Sequence, residues 1–446
     1  MIYLYGLSIS GESLIRYFNA KKISFLAWDD NDKQRKNLKK KYKKINLINP
    51  KKIKWENIKE IYVSPGIDLN INIFNRPKKF QIPIYRDLEL YSQKRDNKKV
   101  IAITGTNGKS TSVKLLSDLF KKNKINHFVG GNYGTPLFDV FNKEKKYQFD
   151  IIELSSFQLE SAPSFKSLIS VLLNISIDHQ ERYKNVNEYI KTKERIFCNG
   201  NFNYGIISVD DKYCKKIYIK NSYNKKKLIP ISIIKKLSHG VSIRDNYIYD
   251  NFFKKGFCHK FDKSSSLNGE FNNQNILISY IVSKLLKLNF ELFNKTISFY
   301  KGLPHRLEKI YESKKLIIIN NSKATNMNST LESIKIYENI FLILGGKIKA
   351  NNFNDLKIVK NKILQCFVIG KETEFIYNQI LDYFPTYKSY QLHNAINQIF
   401  KEINKTSKKI IILFSPACSS FDQFKNFEDR GNKFKKLIKH KVSSYE

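Results

Sequence analysis

The segment Val100-Ile101-Ala102-Ile103-Thr104-Gly105-Thr106-Asn107-Gly108-Lys109-Ser110-Thr111 limits what this chain can fold into more than any other. An apolar, largely β-branched run enters a turn bounded by two glycines. Lys109, Ser110 and Thr111 then open a stretch whose apolar residues, Val113, Leu115, Leu116, Leu119 and Phe120, fall at helical spacing. A strand, a glycine turn and a helix N-terminus in that order make a phosphate cradle. Backbone N–H groups and the helix dipole face the anion, the lysine meets the outer phosphates, and the next hydroxyl can hold Mg2+. Position 103 is Ile, so the full G-x-x-x-x-G-K-S/T pattern is not met, and the shorter form from Gly105 to Thr111 stands instead. The flanking context predicts a nucleoside triphosphate site.

At 446 residues the chain has room for about three domains of ordinary size. A hydrophobic fraction of 41% suffices for packed cores and excludes global disorder. No apolar run approaches the roughly 18 residues of a membrane span. The opening Met1-Ile2-Tyr3-Leu4-Tyr5-Gly6 has neither the basic start nor the cleavage site of a secretory signal, so a cytoplasmic protein with no membrane partner is expected. Cys198, Cys214, Cys258, Cys366 and Cys418 are scattered, odd in number and without a C-x-x-C pair, which favours reduced thiols over disulfides or zinc. A formal charge of +39 would point to nucleic acid if it were gathered on one face. Lysines are instead spread through every segment, so nucleic acid is not the expected partner. Small-molecule substrates and a monomer are.

The N-terminal stretch reads as strand (2–5), turn, helix, and a second strand (23–28) ending at Asp29, the first half of a Rossmann-like fold. Its loop, Gly6 to Gly11, is not G-x-G-x-x-G. Strands at 60–63 and 82–85 follow, and the polar residues 93–99 read as a linker. Further strands are expected at 150–154 and 169–174, short β-rich pieces over 201–265, and a helix over 272–288. From about Gly302, strands at 316–319, 340–344, 366–369 and 410–414 alternate with helical stretches, which implies parallel β-α units. The expected fold is α/β in three domains: a Rossmann-like N-terminal domain (1–93), a central P-loop-type ATPase domain (94–300) and a Rossmann-like C-terminal domain (301–446).

Glu153 closes an apolar strand in the same sheet as the phosphate loop, where a carboxylate can bind Mg2+ directly or through water. The segment from Asn174 to His179 also follows a strand and offers Asp178 and an imidazole. Together with Gly131-Asn132-Tyr133-Gly134-Thr135-Pro136 and Glu153-Leu154-Ser155-Ser156-Phe157-Gln158-Leu159, these segments resemble the central domain of the Mur ligases. Leu303-Pro304-His305-Arg306-Leu307-Glu308 and Asn321-Ser322-Lys323-Ala324-Thr325-Asn326 resemble that family's domain junction. The run from Ser415 to Phe424, with Phe427-Glu428-Asp429-Arg430-Gly431, resembles the branch that adds D-glutamate to UDP-N-acetylmuramoyl-L-alanine.

The resemblance implies an ATP- and Mg2+-dependent ligase working through an acyl phosphate, because a carboxylate is a poor electrophile until phosphorylated. It implies Gly105, Thr106, Asn107, Gly108, Lys109, Ser110 and Thr111 around the phosphates, with Lys109, Glu153, His179 and Lys193 catalytic. Ser110, Glu153, His179 and Lys193 would serve the metal, Lys193 as a carbamate. Lys191 is the competing lysine, with Lys193 favoured by its spacing to Arg195 and Ile196. Asn272, Asn275, Arg306 and Lys323 are implied around ATP. Ser8, Ile9, Ser10, Asp29 and Gly66 would hold the UDP moiety, and Asn132 and Gln158 the muramoyl part. Thr325, Lys349, Ser415 and Phe421 would surround the remaining substrate groups, with Lys347 a rival to Lys349. Asn321 departs from the family's usual Asp.

Overall fold

The computed structural model describes all of the chain except residues 142–145, 179, 181, 201, 222–226, 349–351 and 444–446 and the side chains of 198–200. Three α/β sheets form, as the strand and helix periodicities predict. The first, in order β2-β1-β3-β4, is wholly parallel and joins β1 (Ile2–Tyr5), β2 (Phe25–Trp28), β3 (Glu60–Val63) and β4 (Ile84–Tyr85).

The second sheet has nine strands in the order β13-β12-β11-β10-β9-β8-β5-β7-β6. They are β5 (Val100–Thr104), β6 (His127–Gly131), β7 (Phe149–Glu153), β8 (Ser167–Leu172), β9 (Phe202–Ser208), β10 (Leu228–Ser232), β11 (Val241–Arg244), β12 (Tyr247–Asp250) and β13 (Phe257–Lys260). Pairing is parallel from β6 to β11, and β12 and β13 add an antiparallel edge. After β5 the chain fills one side of it with β6 and β7, then crosses to the other with β8. The strand order therefore reverses at β5, which opens a crevice at its carboxyl end. The β-rich stretch after 201 also contains a helix, Lys212–Lys220, whose start is capped by the Asp211 carboxylate accepting from Tyr213 and Cys214 N–H at 3.0 and 2.8 Å.

In the third sheet the order is β14-β15-β19-β16-β17-β18, with β14 (Glu308–Glu312), β15 (Leu316–Asn320), β16 (Ile340–Gly345), β17 (Ile363–Ile369), β18 (Thr386–Tyr390) and β19 (Ile410–Phe414). Only β14 is antiparallel to its neighbour. Alternate residues of one strand enter different cores: Leu342 and Leu344 pack with Leu356 and Ile376, whereas Phe341 and Ile343 pack with Ile396 and Phe434. Burial on both faces is why these strands read as unbroken apolar runs.

Two compact units result. One comprises Met1–Ile175, Asn185–Lys260 and Gln274–Thr296, and carries the first two sheets; the other comprises Ser176–Lys184, Phe261–Asn273 and Ile297–Glu446. Residues 93–99, expected as a linker, are held instead. The helix Asp87–Lys94 runs into them, and the Arg95 guanidinium forks onto the buried Asp150 carboxylate, which also accepts from Tyr91 Oη at 2.6 Å. No helix among the described residues is long and apolar enough to cross a membrane. Cys214, Cys258, Cys366 and Cys418 are free thiols.

Candidate active site

The loop from Gly105 to Gly108 joins β5 to the helix Lys109–Lys122. Gly108 is the N-cap with φ 85°, and a Cβ there would stand 2.9 Å from Asn275 Oδ1. Two neighbours clamp the loop. Asn174, just beyond β8, accepts the Asn107 N–H on its Oδ1 at 2.9 Å and the Thr106 N–H on its backbone oxygen at 2.8 Å. Asn174 Nδ2 reaches Gln274 Oε1 at 3.0 Å, and Asn275 Oδ1 accepts from Ser112 Oγ at 2.7 Å. The Asn275 amide is thus part of the loop's floor. Lys109 folds across the loop, its Nζ donating to the carbonyls of Gly105 and Thr106 at 2.8 and 2.9 Å. Ser110 is buried, and Thr111 half-buried, at the helix start.

Glu153 ends β7 beside β5, in register with Ile103, and is 2% exposed. Asn132 positions it: Nδ2 donates to Glu153 Oε1 at 2.7 Å and its N–H to the Glu153 carbonyl at 2.9 Å. The other carboxylate oxygen, Oε2, is buried with no hydrogen-bond partner among the described residues. A bare buried carboxylate oxygen is costly unless a cation meets it, so the donor set fits a divalent ion. Among the described residues no group of three or more His, Cys, Asp or Glu gathers, at this site or any other. A cation held by one carboxylate with hydroxyl, phosphate and water oxygens suits magnesium rather than zinc.

Lys193 lies in the helix Val186–Glu194 and is 2% exposed, whereas Lys191 points to solvent. Lys193 Nζ donates to Gly105 O at 2.9 Å and sits 4.8 Å from the ring centroid of Tyr189, whose hydroxyl is 3.1 Å from Thr106 Oγ1. The geometry thus brings Lys109, Lys193 and the loop together and leaves Lys191 out. His179 lies outside the described residues. Asn174 and Tyr189 were not singled out from sequence; the place of Asn174 at the end of the strand beside β5 was the available signal.

At the carboxyl ends of the first sheet, Ser8 caps the helix Ile9–Ala20 without a side-chain cap bond, and Ile9 is 75% exposed. Ser10 is half-buried in that helix's first turn. Asp29 is spent locally, accepting the N–H groups of Leu7 and Asn31 at 2.6 and 2.9 Å. Gly66, after β3, faces open space. Gln158 is buried in a capping box with Ser155.

In the second unit, the loops after β15, β16 and β19 converge. Asn321 N–H donates to Phe414 O at 2.8 Å and its Nδ2 to Ser415 Oγ at 3.1 Å, while its Oδ1 accepts Leu307 N–H at 3.3 Å. The amide serves both as donor and as acceptor, a pairing no carboxylate can make. Ser415 is fully buried, its hydroxyl also meeting Thr330 at 3.1 Å and Ser333 at 3.0 Å. Phe421 is 70% exposed, and Lys323 Nζ lies 3.7 Å from the Phe427 ring centroid. Thr325 and Arg306 are half-buried, and Asn272 Nδ2 donates to Asn268 O at 2.8 Å. Lys349 lies outside the described residues. Arg430, a buried residue of the helix Phe427–Val442, ties two of these loops by donating to Ser322 O at 2.7 Å and Cys418 O at 3.1 Å, and burial pushes its pKa down to about 10.

Residues 103–283 match the model of the Mur ligase middle domain. Over 437 residues the chain is 35% identical to a UDP-N-acetylmuramoylalanine–D-glutamate ligase of Rickettsia bellii, covering 97% of this chain and 96% of that protein. This chain belongs to the Mur ligase family. A relative of the same name from Buchnera aphidicola is 33% identical over 458 residues, with 99% of this chain and 98% of its own covered. Solved structures of Mur ligase type share the fold. The UDP-N-acetylmuramate-alanine ligase of Thermotoga maritima superposes with a TM-score of 0.59 at 14% identity over 99% of both chains. The pseudomurein peptide ligase type C of Methanothermus fervidus gives 0.58 at 16% identity over 98% of this chain and 99% of its own.

Proposed function

We propose that the chain is an ATP-dependent ligase that adds D-glutamate to UDP-N-acetylmuramoyl-L-alanine, a cytoplasmic step of peptidoglycan precursor synthesis. The observation that carries this reading is the meeting of a phosphate loop, a bare Glu153 oxygen and a buried Lys193 at the strand reversal of a Mur ligase. The donor's terminal carboxylate takes the γ-phosphoryl group of ATP, releasing ADP. The amine of D-glutamate then attacks the acyl carbon, loses a proton, and the tetrahedral intermediate expels phosphate.

The protein's part is alignment and charge neutralisation. Lys109 leaves the Gly105 and Thr106 carbonyls for the outer phosphates, and the Gly108 N–H at the helix start faces them, while the Asn107 N–H stays with Asn174 Oδ1 and holds the loop in shape. Ser110, Glu153, His179 and Lys193 as a carbamate would hold Mg2+, which would supply charge neutralisation when bound. Residues 1–93 would bind the UDP moiety through Ser8, Ile9, Ser10 and Gly66, residues 94–300 ATP, and residues 301–446 the amino acid through Thr325, Lys349, Ser415 and Phe421. A monomer needs no residue from a second copy for this scheme.

The test is phosphate release with UDP-N-acetylmuramoyl-L-alanine across a panel of amino acids. D-Glutamate is expected to be accepted well and L-glutamate poorly. Equal rates with both enantiomers, or no turnover with either, would overturn the assignment.

A further inference from the structure

We propose that Arg86 is a positioning residue for the uridine diphosphate end of the donor substrate, an inference that rests on the function proposed above. Arg86 follows β4 and is fully buried. One guanidinium holds both ends of the turn that follows β3: Nη1 donates to Ser64 O at 2.7 Å and Nη2 to Ile67 O at 2.9 Å. Nη2 also pairs with the Glu160 carboxylate, two residues past Gln158. The backbone repeats this tie, since Arg86 N–H donates to Ser161 O at 3.2 Å and Ser161 Oγ to Ile84 O at 2.6 Å. Glu160 O in turn accepts from Arg195, two residues past Lys193.

A buried ion pair is a poor choice for stability alone, because desolvation offsets much of its attraction and apolar side chains of similar volume serve as well. What an apolar residue cannot do is fix two carbonyls and a carboxylate at once, and the planar fork of arginine can. The turn it fixes has a particular composition. Pro65 has no N–H, and the Ile67 N–H is used by Ser64 O at 3.1 Å. Gly66 N–H remains, without a hydrogen bond among the described residues, and no heavy atom lies within 4 Å of where its Cβ would stand. A free N–H at the carboxyl end of a parallel nucleotide-type sheet suits a phosphate or uracil oxygen. Arg86 touches no substrate in this scheme; it sets the direction of the Gly66 N–H and ties that turn to the segment carrying Gln158.

The test titrates uridine diphosphate alone against wild type, Arg86→Met, Arg86→Lys and the double variant Arg86→Met/Glu160→Met, and measures KM for all three substrates. The double variant removes both members of the ion pair, so a lone carboxylate does not confound folding. Wild type is expected to bind the probe, and every variant to bind it about tenfold more weakly or worse. KM for the UDP-linked donor should rise in parallel, with KM for ATP and D-glutamate within about twofold of wild type. Lysine keeps the charge but not the fork, so it should not rescue. Equal probe binding by wild type and the double variant, or a uniform rise of all three KM values, would overturn the positioning role. Failure of wild type itself to bind uridine diphosphate would instead strike the proposed function, and the role of Arg86 with it.

Discussion

The ammonium groups of Lys109 and Lys193 donate to the same oxygen, the carbonyl of Gly105, at 2.8 and 2.9 Å. Two cations sharing one neutral acceptor repel each other, and Lys193 does so from a buried position where water screens little. Carbon dioxide adding to the neutral amine of Lys193 would turn this repulsion into attraction and leave Lys109 free to turn to phosphate.

Lys193→Ala should therefore lose most activity, and a short-chain carboxylate in the buffer should restore part of it by filling the vacated anionic position. Lys109→Ala should also be inactive, yet gain nothing from the carboxylate, since its missing group is a cation. Turnover assays with and without the additive check both. Rescue of Lys191→Ala instead would move the role from Lys193 to Lys191.

Glu153→Gln keeps the shape and the Asn132 bond but replaces the bare oxygen with an amide. Turnover should fall by about a hundredfold or more, with thermal stability unchanged or improved because a buried charge is gone. Rates measured against Mg2+ concentration would show it; wild-type rates at low Mg2+ would exclude Glu153 from the metal site.

Gly131 has φ 101°, and a Cβ there would stand 2.2 Å from the Glu153 carbonyl oxygen. Gly131→Ala should cost about 3 kcal/mol or more, combining backbone strain with a clash against main chain. Gly66→Ala, with open space around it, is the control and should stay within about 0.5 kcal/mol. Urea midpoints decide between them.

Burial pushes the Asp87 carboxyl up to about 6, against the partial opposition of the Leu88 N–H and the Arg86 charge. The folded state then holds this proton more tightly than the unfolded state, so the group's contribution is present below about pH 4 and is lost as pH rises to about 6. Asp87→Asn removes that loss. Its stability relative to wild type should rise with pH and level off above pH 6 at roughly 3 kcal/mol. Chemical denaturation at pH 4.5 and 7 measures the difference; a gap that stays constant would contradict the shift.

The strands and the phosphate loop were legible because apolar runs bounded by glycine carry their own punctuation. β6 was missed: its sequence, His127 to Gly131, ends in two glycines and alternates half-buried with buried positions at a sheet edge. β18 escaped for the same reason, as Thr386 to Tyr390 is half polar and also lies at an edge. Residues 93–99 resembled a linker because their composition is polar, but Arg95 finds its acid 55 positions away, a pairing no local pattern contains. Lys191 and Lys193 are alike in sequence. Beyond their spacing to Arg195 and Ile196, the face of the helix each occupies separates them, and that is fixed by packing against the loop.

The two compact units are interleaved along the chain, for Ser176–Lys184 and Phe261–Asn273 belong with Ile297–Glu446 although other residues intervene. Neither unit can be liberated whole by one cleavage, and a fragment beginning at Ile297 lacks two of the pieces that complete it. During synthesis the second unit has to wait for the end of the polypeptide, while segments that belong to it emerge more than a hundred residues earlier. Dissection of this ligase should thus be attempted with five cuts in mind, not one.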